Sequence, residues 1–157
     1  MDNRLIEKLK IFVDSIEKQM IYLVRLDFVA KEKIVSKSID EFKLDHNLKI
    51  EISDTKKNRN KNFIIVSLDY NFLEQIFLKK RREQLLKMNI IYKLDLFLKL
   101  SGKSQNLFYD KEVIESYANS SGLLTVFPYI RHLSDHIHKE LRLGLEPYPP
   151  MKIKLNV

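Results

Sequence analysis

Four stretches of this chain alternate apolar and polar residues, and that period of two constrains the fold more than any other feature. Tyr22, Val24, Leu26, Phe28 and Ala30 form the first, separated by residues that include Arg25 and Asp27. The second sets Phe42, Leu44, Leu48, Ile50 and Ile52 between Lys43, Asp45, Asn47, Lys49, Glu51 and Ser53. The third sets Ile64, Val66, Leu68, Tyr70 and Phe72 between Ser67, Asp69 and Asn71; the fourth sets Ile90, Tyr92, Leu94, Leu96, Leu98 and Leu100 between Asn89, Lys93, Asp95 and Lys99. Successive side chains of a strand point to opposite faces, so each stretch predicts a strand with one dry and one wet face. An antiparallel sheet covered on one side has this pattern, whereas parallel strands are buried on both faces and apolar throughout. A slip of one residue would turn every apolar side chain into water, which fixes the register.

The connections are less uniform. The polar segment Asp54–Lys61 predicts a hairpin turn between the second and third strands, and Lys31–Glu41 is too long for a tight turn between the first and second. Glu74–Met88 is long for a hairpin loop. It holds the densest basic cluster, Lys79–Arg82, then Glu83, Gln84, Leu85 and Leu86, and reads either as a strand extension followed by a helical turn or as a projecting arm. Helices bracket the sheet. Over residues 3–18, Leu5, Leu9, Phe12, Val13 and Ile16 make one stripe, with Asp2 or Asn3 as the cap; it either packs on its own domain or serves a partner. Asp110 is placed to cap a helix over Lys111–Tyr117, and Ala118–Gly122 reads as a break. Leu123, Phe127, Ile130, Leu133, Ile137 and Leu141 then recur at helical spacing. Pro128 either opens that helix or kinks one that starts near Tyr117, and Gly144 stops it. A proline-rich tail follows, an extended loop lying over the rest.

The expectation is therefore one α+β domain over residues 1–157. A helix spans 3–18, a four-stranded antiparallel sheet 20–101, a helical region 110–143 and a tail loop 144–157, with helices covering one face of the sheet.

The net charge of +7 and the absence of cysteine narrow the chemistry. A basic chain is drawn to nucleic acid, anionic lipid or acidic protein surfaces, or simply carries a lysine-rich solvated exterior. Without cysteine there is no disulfide, thiol nucleophile or thiolate-bound zinc, which fits a reducing cytoplasm. No apolar run reaches the roughly 20 residues of a membrane-spanning helix. Asp2, Glu7 and Asp14 interrupt any signal-peptide core. Three glycines leave no phosphate-cradling loop.

Catalytic constellations are absent from the pattern. His132 and His136 lie one turn apart on the long helix, with His138 turned away, but no glutamate stands between them as in HExxH and no third ligand is identifiable. His46 falls on the inward parity of the second strand. Asp69 and Asp95 fall on the polar face, where lysines meet them. Tyr22, Phe28, Tyr70, Phe72 and Tyr92 share the apolar parity and read as core, not as stacking platforms for bases. Neither an enzyme, a metal nor a cofactor is expected.

The long helix and its tail carry a resemblance. Leu124-Thr-Val-Phe-Pro-Tyr-Ile-Arg131, followed by Pro149-Pro-Met-Lys-Ile153, resembles the SecB export-chaperone family, whose main helix holds a Phe-Pro-Tyr-x-Arg segment followed by a proline-containing loop. The match is to Phe127, Pro128, Tyr129 and Arg131, then Pro149 and Pro150, behind four strands with a crossover after the first, over about residues 20–153. The resemblance implies a SecB-like fold with an additional N-terminal helix and an ATP-independent holdase for unfolded polypeptide or preprotein. It implies a homo-oligomer, a dimer of dimers with the main helices packed between dimers. It also implies a long apolar client groove, for which Phe28, Phe42, Leu145, Tyr148 and Met151 are the candidates. Export members dock the translocation motor through an acidic surface; this chain is basic. A dedicated chaperone of a single client such as an antitoxin is the alternative, and a non-chaperone or nucleic-acid-binding use of the fold is a third.

Overall fold

A computed structural model describes residues 2–30, 42–58, 62–80, 82–101 and 106–141. Four long antiparallel strands, β1 (Ile16–Ala30), β2 (Phe42–Asn58), β3 (Phe63–Leu78) and β4 (Glu83–Lys99), form one sheet in the order β1-β4-β3-β2. The first strand thus pairs with the last, and β1 and β2 are the two edges. Three helices cover one face: α1 (Asn3–Asp14), α2 (Lys111–Tyr117) and α3 (Leu123–Glu140).

The central strand β3 shows why the sheet forms. Ile64, Val66, Leu68, Tyr70, Phe72, Ile76 and Leu78 are all buried on the helix side. Opposite them on β4 stand Leu98, Leu96, Leu94, Tyr92, Ile90 and Leu86, in the order read from Ile64 to Ile76. Each such side chain, fully buried, is worth about 1.5–3 kcal/mol. The alternation expected of β3 and β4 is observed; along β2 it holds in register as far as Ile52, but Leu44 and His46 on the inward parity are exposed, and Ser53 is an extra residue before Asp54. The first strand differs. Val24 is an extra, unpaired residue between Leu23, opposite Tyr92, and Arg25, opposite Ile91. This β-bulge reverses the parity, so Ile21 and Leu23 face the helices while Tyr22 points to the other side. Tyr22 is therefore not a core residue: its hydroxyl donates to Asp95 Oδ2 at 2.7 Å on the outer face.

The segment between β3 and β4 is neither an arm nor a helical turn. Both strands extend, to Leu78 and from Glu83, around a tight turn in which Arg82 takes a positive φ of 49°. Likewise β2 runs on to Asn58, so Asp54–Asn58 of the expected turn are strand, and residues 59–61 lie outside the described residues.

On the covered face, α1 is capped by the Asp2 side chain, which accepts from the Arg4 amide at 3.1 Å. The helix ends at Asp14, four residues short of the expected 18, because the Ser15 hydroxyl folds back to the Ile11 carbonyl at 2.7 Å and β1 begins at Ile16. Its Phe12 is fully buried between Phe108 and Tyr117. Asp110 caps α2 through the Val113 amide and also pairs with Lys8 Nζ at 2.9 Å, tying α1 to α2. That cation holds the Asp110 carboxyl below the usual range.

Ala118–Gly122 is not a break. It is a π-helical turn that joins α2 to α3 without interruption, and Pro128 lies inside α3, neither opening the helix nor preventing its continuation. The fully buried Tyr70 donates to the Ala118 carbonyl at 2.9 Å, and a Cβ at Gly122 would overlap that tyrosine's hydroxyl. Leu123, Val126, Ile130 and Ile137 of α3 meet the sheet, with Phe127, Leu133 and Leu141 partly buried beside them.

Candidate polypeptide-binding surface

Strand β1 is where the fold leaves apolar surface uncovered. Met20, Tyr22, Leu23, Val24, Phe28 and Val29 are all substantially exposed, Val29 at 74%. They lie on both sides of an edge strand whose outer hydrogen-bonding row faces away from β4. Leu23 and the bulged Val24 follow one another in the strand and are both exposed.

The two groove candidates bordering the crossover separate. Phe28, on the helix side of β1, is 49% exposed. Phe42 is only 7% exposed, packed with Ile76, Leu78, Leu85 and Leu86 in a second core cluster against Ala30 and Leu141. As placed, Phe42 is a core residue, because the inward parity of β2 meets the extended ends of β3 and β4. Leu145, Tyr148, Met151, Pro149 and Pro150 lie outside the described residues.

The Phe-Pro-Tyr-x-Arg segment spreads around α3. Phe127 is half-buried against the core, and Pro128 is exposed. Tyr129, 50% exposed, sets its ring 6.0 Å from that of Tyr92 on β4. Arg131 reaches Asp135 at 3.9 Å along the helix. Leu124 is exposed as well, about 140° around the helix from Tyr129.

The histidines divide as well. His132 and His136 are exposed, and no cluster of three or more His, Asp or Glu side chains suited to a metal ion is present among the described residues. His138 is buried and bonds Glu74 through Nε2 and Oε1. Sequence reasoning missed Glu74. Its signal was available: a carboxylate on the buried parity of β3, between Phe72 and Ile76, requires a partner. The pair pins the last turn of α3 to the sheet close to where the chain leaves toward its tail.

The outer face of the sheet is polar in its middle. Asp69 meets Lys93 at 3.7 Å. Asp95, also expected to meet a lysine, instead accepts from Ser67 Oγ at 2.6 Å and from Tyr22, and that bond lifts the Tyr22 phenol to about 12. A second groove, about 440 Å³, runs between β2 and α2 along Ile50, Ile52, Glu115 and Asn119.

This arrangement of four antiparallel strands, edge-crossing order and covering helices is found in a solved structure. The SecB-like chaperone Rv1957 of Mycobacterium tuberculosis, in complex with a ChAD peptide from the HigA1 antitoxin Rv1956, superposes with a TM-score of 0.61 at 14% identity, over 99% of this chain and 100% of that one. The chain has a SecB-like fold. A protein of unknown function from Streptococcus agalactiae matches at a TM-score of 0.39 and 9% identity, over 87% of this chain and 96% of that one, too distant to carry an argument. No protein-family profile and no curated protein matches the chain. Within the SecB-like fold, α3 holds the Phe127-Pro-Tyr-x-Arg131 segment and β1 is the edge strand that the crossover leaves exposed. No helix among the described residues is long and apolar enough to cross a membrane.

Proposed function

We propose that this chain is an ATP-independent chaperone that holds non-native polypeptide, acting in the cytoplasm as a homo-oligomer. The observation that carries the reading is the exposed apolar surface of β1, on a fold shared with a chaperone. Monomeric proteins rarely leave contiguous apolar patches of this kind without a use. An edge strand offers unpaired N–H and C=O groups to an extended segment, so main-chain bonds supply affinity and loosely fitted apolar contacts supply tolerance of sequence.

The surface divides by position. Met20–Val24, at the middle of β1, with the exposed Leu124 and Tyr129 of α3, serves subunit contact and builds the dimer of dimers. Phe28 and Val29, at the end of β1 toward the crossover, serve the client, with Leu145, Tyr148 and Met151 of the tail completing the groove. Nothing in this scheme needs a nucleotide or a catalytic group. The antitoxin peptide bound to Rv1957 favours a narrower form of the same activity, in which the client is one dedicated partner such as an antitoxin. Preprotein export through the translocation motor is the broader form.

The test is suppression of aggregation of a chemically unfolded, slow-folding protein, titrated without nucleotide. Suppression near one oligomer per client is expected, reduced about tenfold by Phe28→Asp with the oligomer retained in sedimentation analysis. A monodisperse monomer at micromolar concentration, inert toward unfolded clients and antitoxin tails alike, would overturn the reading.

A further inference from the structure

The face of the sheet opposite the helices is not uniformly polar. Phe63 and Phe97 lie on it at one end of β3 and β4, their rings 5.6 Å apart in edge-to-face contact. Phe77 lies on it at the other end, between Lys43 of β2 and Gln84 of β4. No described element covers this face.

Phe77 sits in a pocket of about 500 Å³ walled by Lys43, Asp45, Leu78, Lys79 and Arg82. Asp45, the one carboxylate in the wall, is engaged by Lys43 Nζ at 3.1 Å. Lys79 and Arg82 are exposed, and neither has an ion-pair partner among the described residues. Lys80 adds a further exposed cation in the same turn. Arg82 holds a left-handed backbone, a conformation that glycine or asparagine adopts without strain. An arginine kept there, at the lip of a basic pocket, is strain placed beside a candidate binding group.

We propose that this pocket binds single-stranded nucleic acid, with phosphates held by Lys79 and Arg82 and a base lying on Phe77. Two features favour this ligand over an acidic peptide. A half-buried aromatic ring on a sheet surface beside cations is the combination that single strands use, because every base has a face to stack and every phosphate a charge to pair. A carboxylate-rich peptide needs the cations but has no use for the ring. The chain's charge of +7 adds a long-range attraction for a polyanion. The site stands on the opposite face from the helix-side surface of Phe28, so it is independent of the chaperone reading.

Anisotropy of a fluorescein-labelled twenty-nucleotide oligouridine, titrated with the full chain at rising salt, tests it. Two phosphate contacts predict a slope of log K against log salt near −1.4, at about 0.7 per contact for single strands. Arg82→Gly removes a cation while relaxing the turn, so binding falls about tenfold with thermal stability kept or raised. Phe77→Leu keeps apolar bulk and both cations yet loses the stacking face, and weakens binding by about 5-fold or more. Thermal melting checks that this variant is folded. Four outcomes would overturn the proposal: no binding at low salt, binding of oligouridine that Phe77→Leu leaves unchanged, equal binding of polyglutamate, or uridine monophosphate held as tightly as the strand.

Discussion

The two edges of this sheet are built on opposite rules. Along β2 every second residue on the outer face is charged or amide, and neighbouring charges pair within the strand: Lys43 with Asp45, Lys49 with Glu51, Lys56 with Asp54. Lysines and carboxylates on an exposed edge keep it from pairing with another chain. The β1 edge has one such pair, Arg25 with Asp27, and around it Met20, Tyr22, Val24 and Val29. Both strands are long, both are edges and both belong to one sheet, so geometry does not account for the contrast. The difference teaches that the apolar surface of β1 is a property placed on that strand, where a second chain would meet it.

Reversing each edge would break or sharpen the comparison. The largest effect is expected from charging β1: Met20→Lys with Val24→Lys should weaken self-association about a hundredfold, measured by sedimentation, while the melting temperature moves by no more than about 2 °C, since both sites are exposed. A variant that assembles as before would remove β1 from the interface. Stripping the guard from β2 should act in the other direction and less strongly. Lys49→Val with Glu51→Val should add concentration-dependent association at micromolar protein, seen as higher-order species by light scattering. If the double variant stays as dispersed as the parent, the charges on β2 are not what protects it. The smallest effect is local. Tyr22→Phe removes the bond to Asp95 and should cost about 0.5–1.5 kcal/mol in chemical denaturation. Because the folded phenol titrates near 12 and the unfolded one near 10, this stabilisation is complete below pH 10 and is lost as pH rises toward 12. The difference between parent and variant should shrink over that range; a constant difference would place the stabilisation elsewhere.

The covered face was legible because burial enforces the alternation. Ile64 through Phe72 and Ile90 through Leu98 have one reading only, and β2 follows them. The phase of β1 was not legible. Ile21 and Leu23 are as apolar as Tyr22 and Val24, so the first half of the stretch supports either parity until the unpaired Val24 decides it. The β3–β4 turn was missed because its residues, Lys79 to Arg82, include none that signals a turn, and the left-handed position carries arginine. The three phenylalanines of the outer face went unassigned: Phe63 and Phe77 stand outside the third stretch, and Phe97 lies inside the fourth, between Leu96 and Leu98, where its polar neighbours set the reading of a wet face. Of the groove candidates, Phe28 is exposed although its parity read as core, while Phe42 is buried in a second core cluster formed by strands longer than the pattern announced.

The π-helical turn between α2 and α3 has a consequence for how this chain can change in length. It holds one residue more than a regular helical turn while keeping Tyr117 and Val126 directed at the same sheet. Losing a residue from Ala118–Gly122 would convert it to ordinary helix and leave the later stripe in phase. Gaining one would rotate α3 by about 100° and carry Tyr129 and His136 toward the positions now filled by Ile130 and Ile137. At this one joint, descendants of the sequence are free to shorten and barred from lengthening.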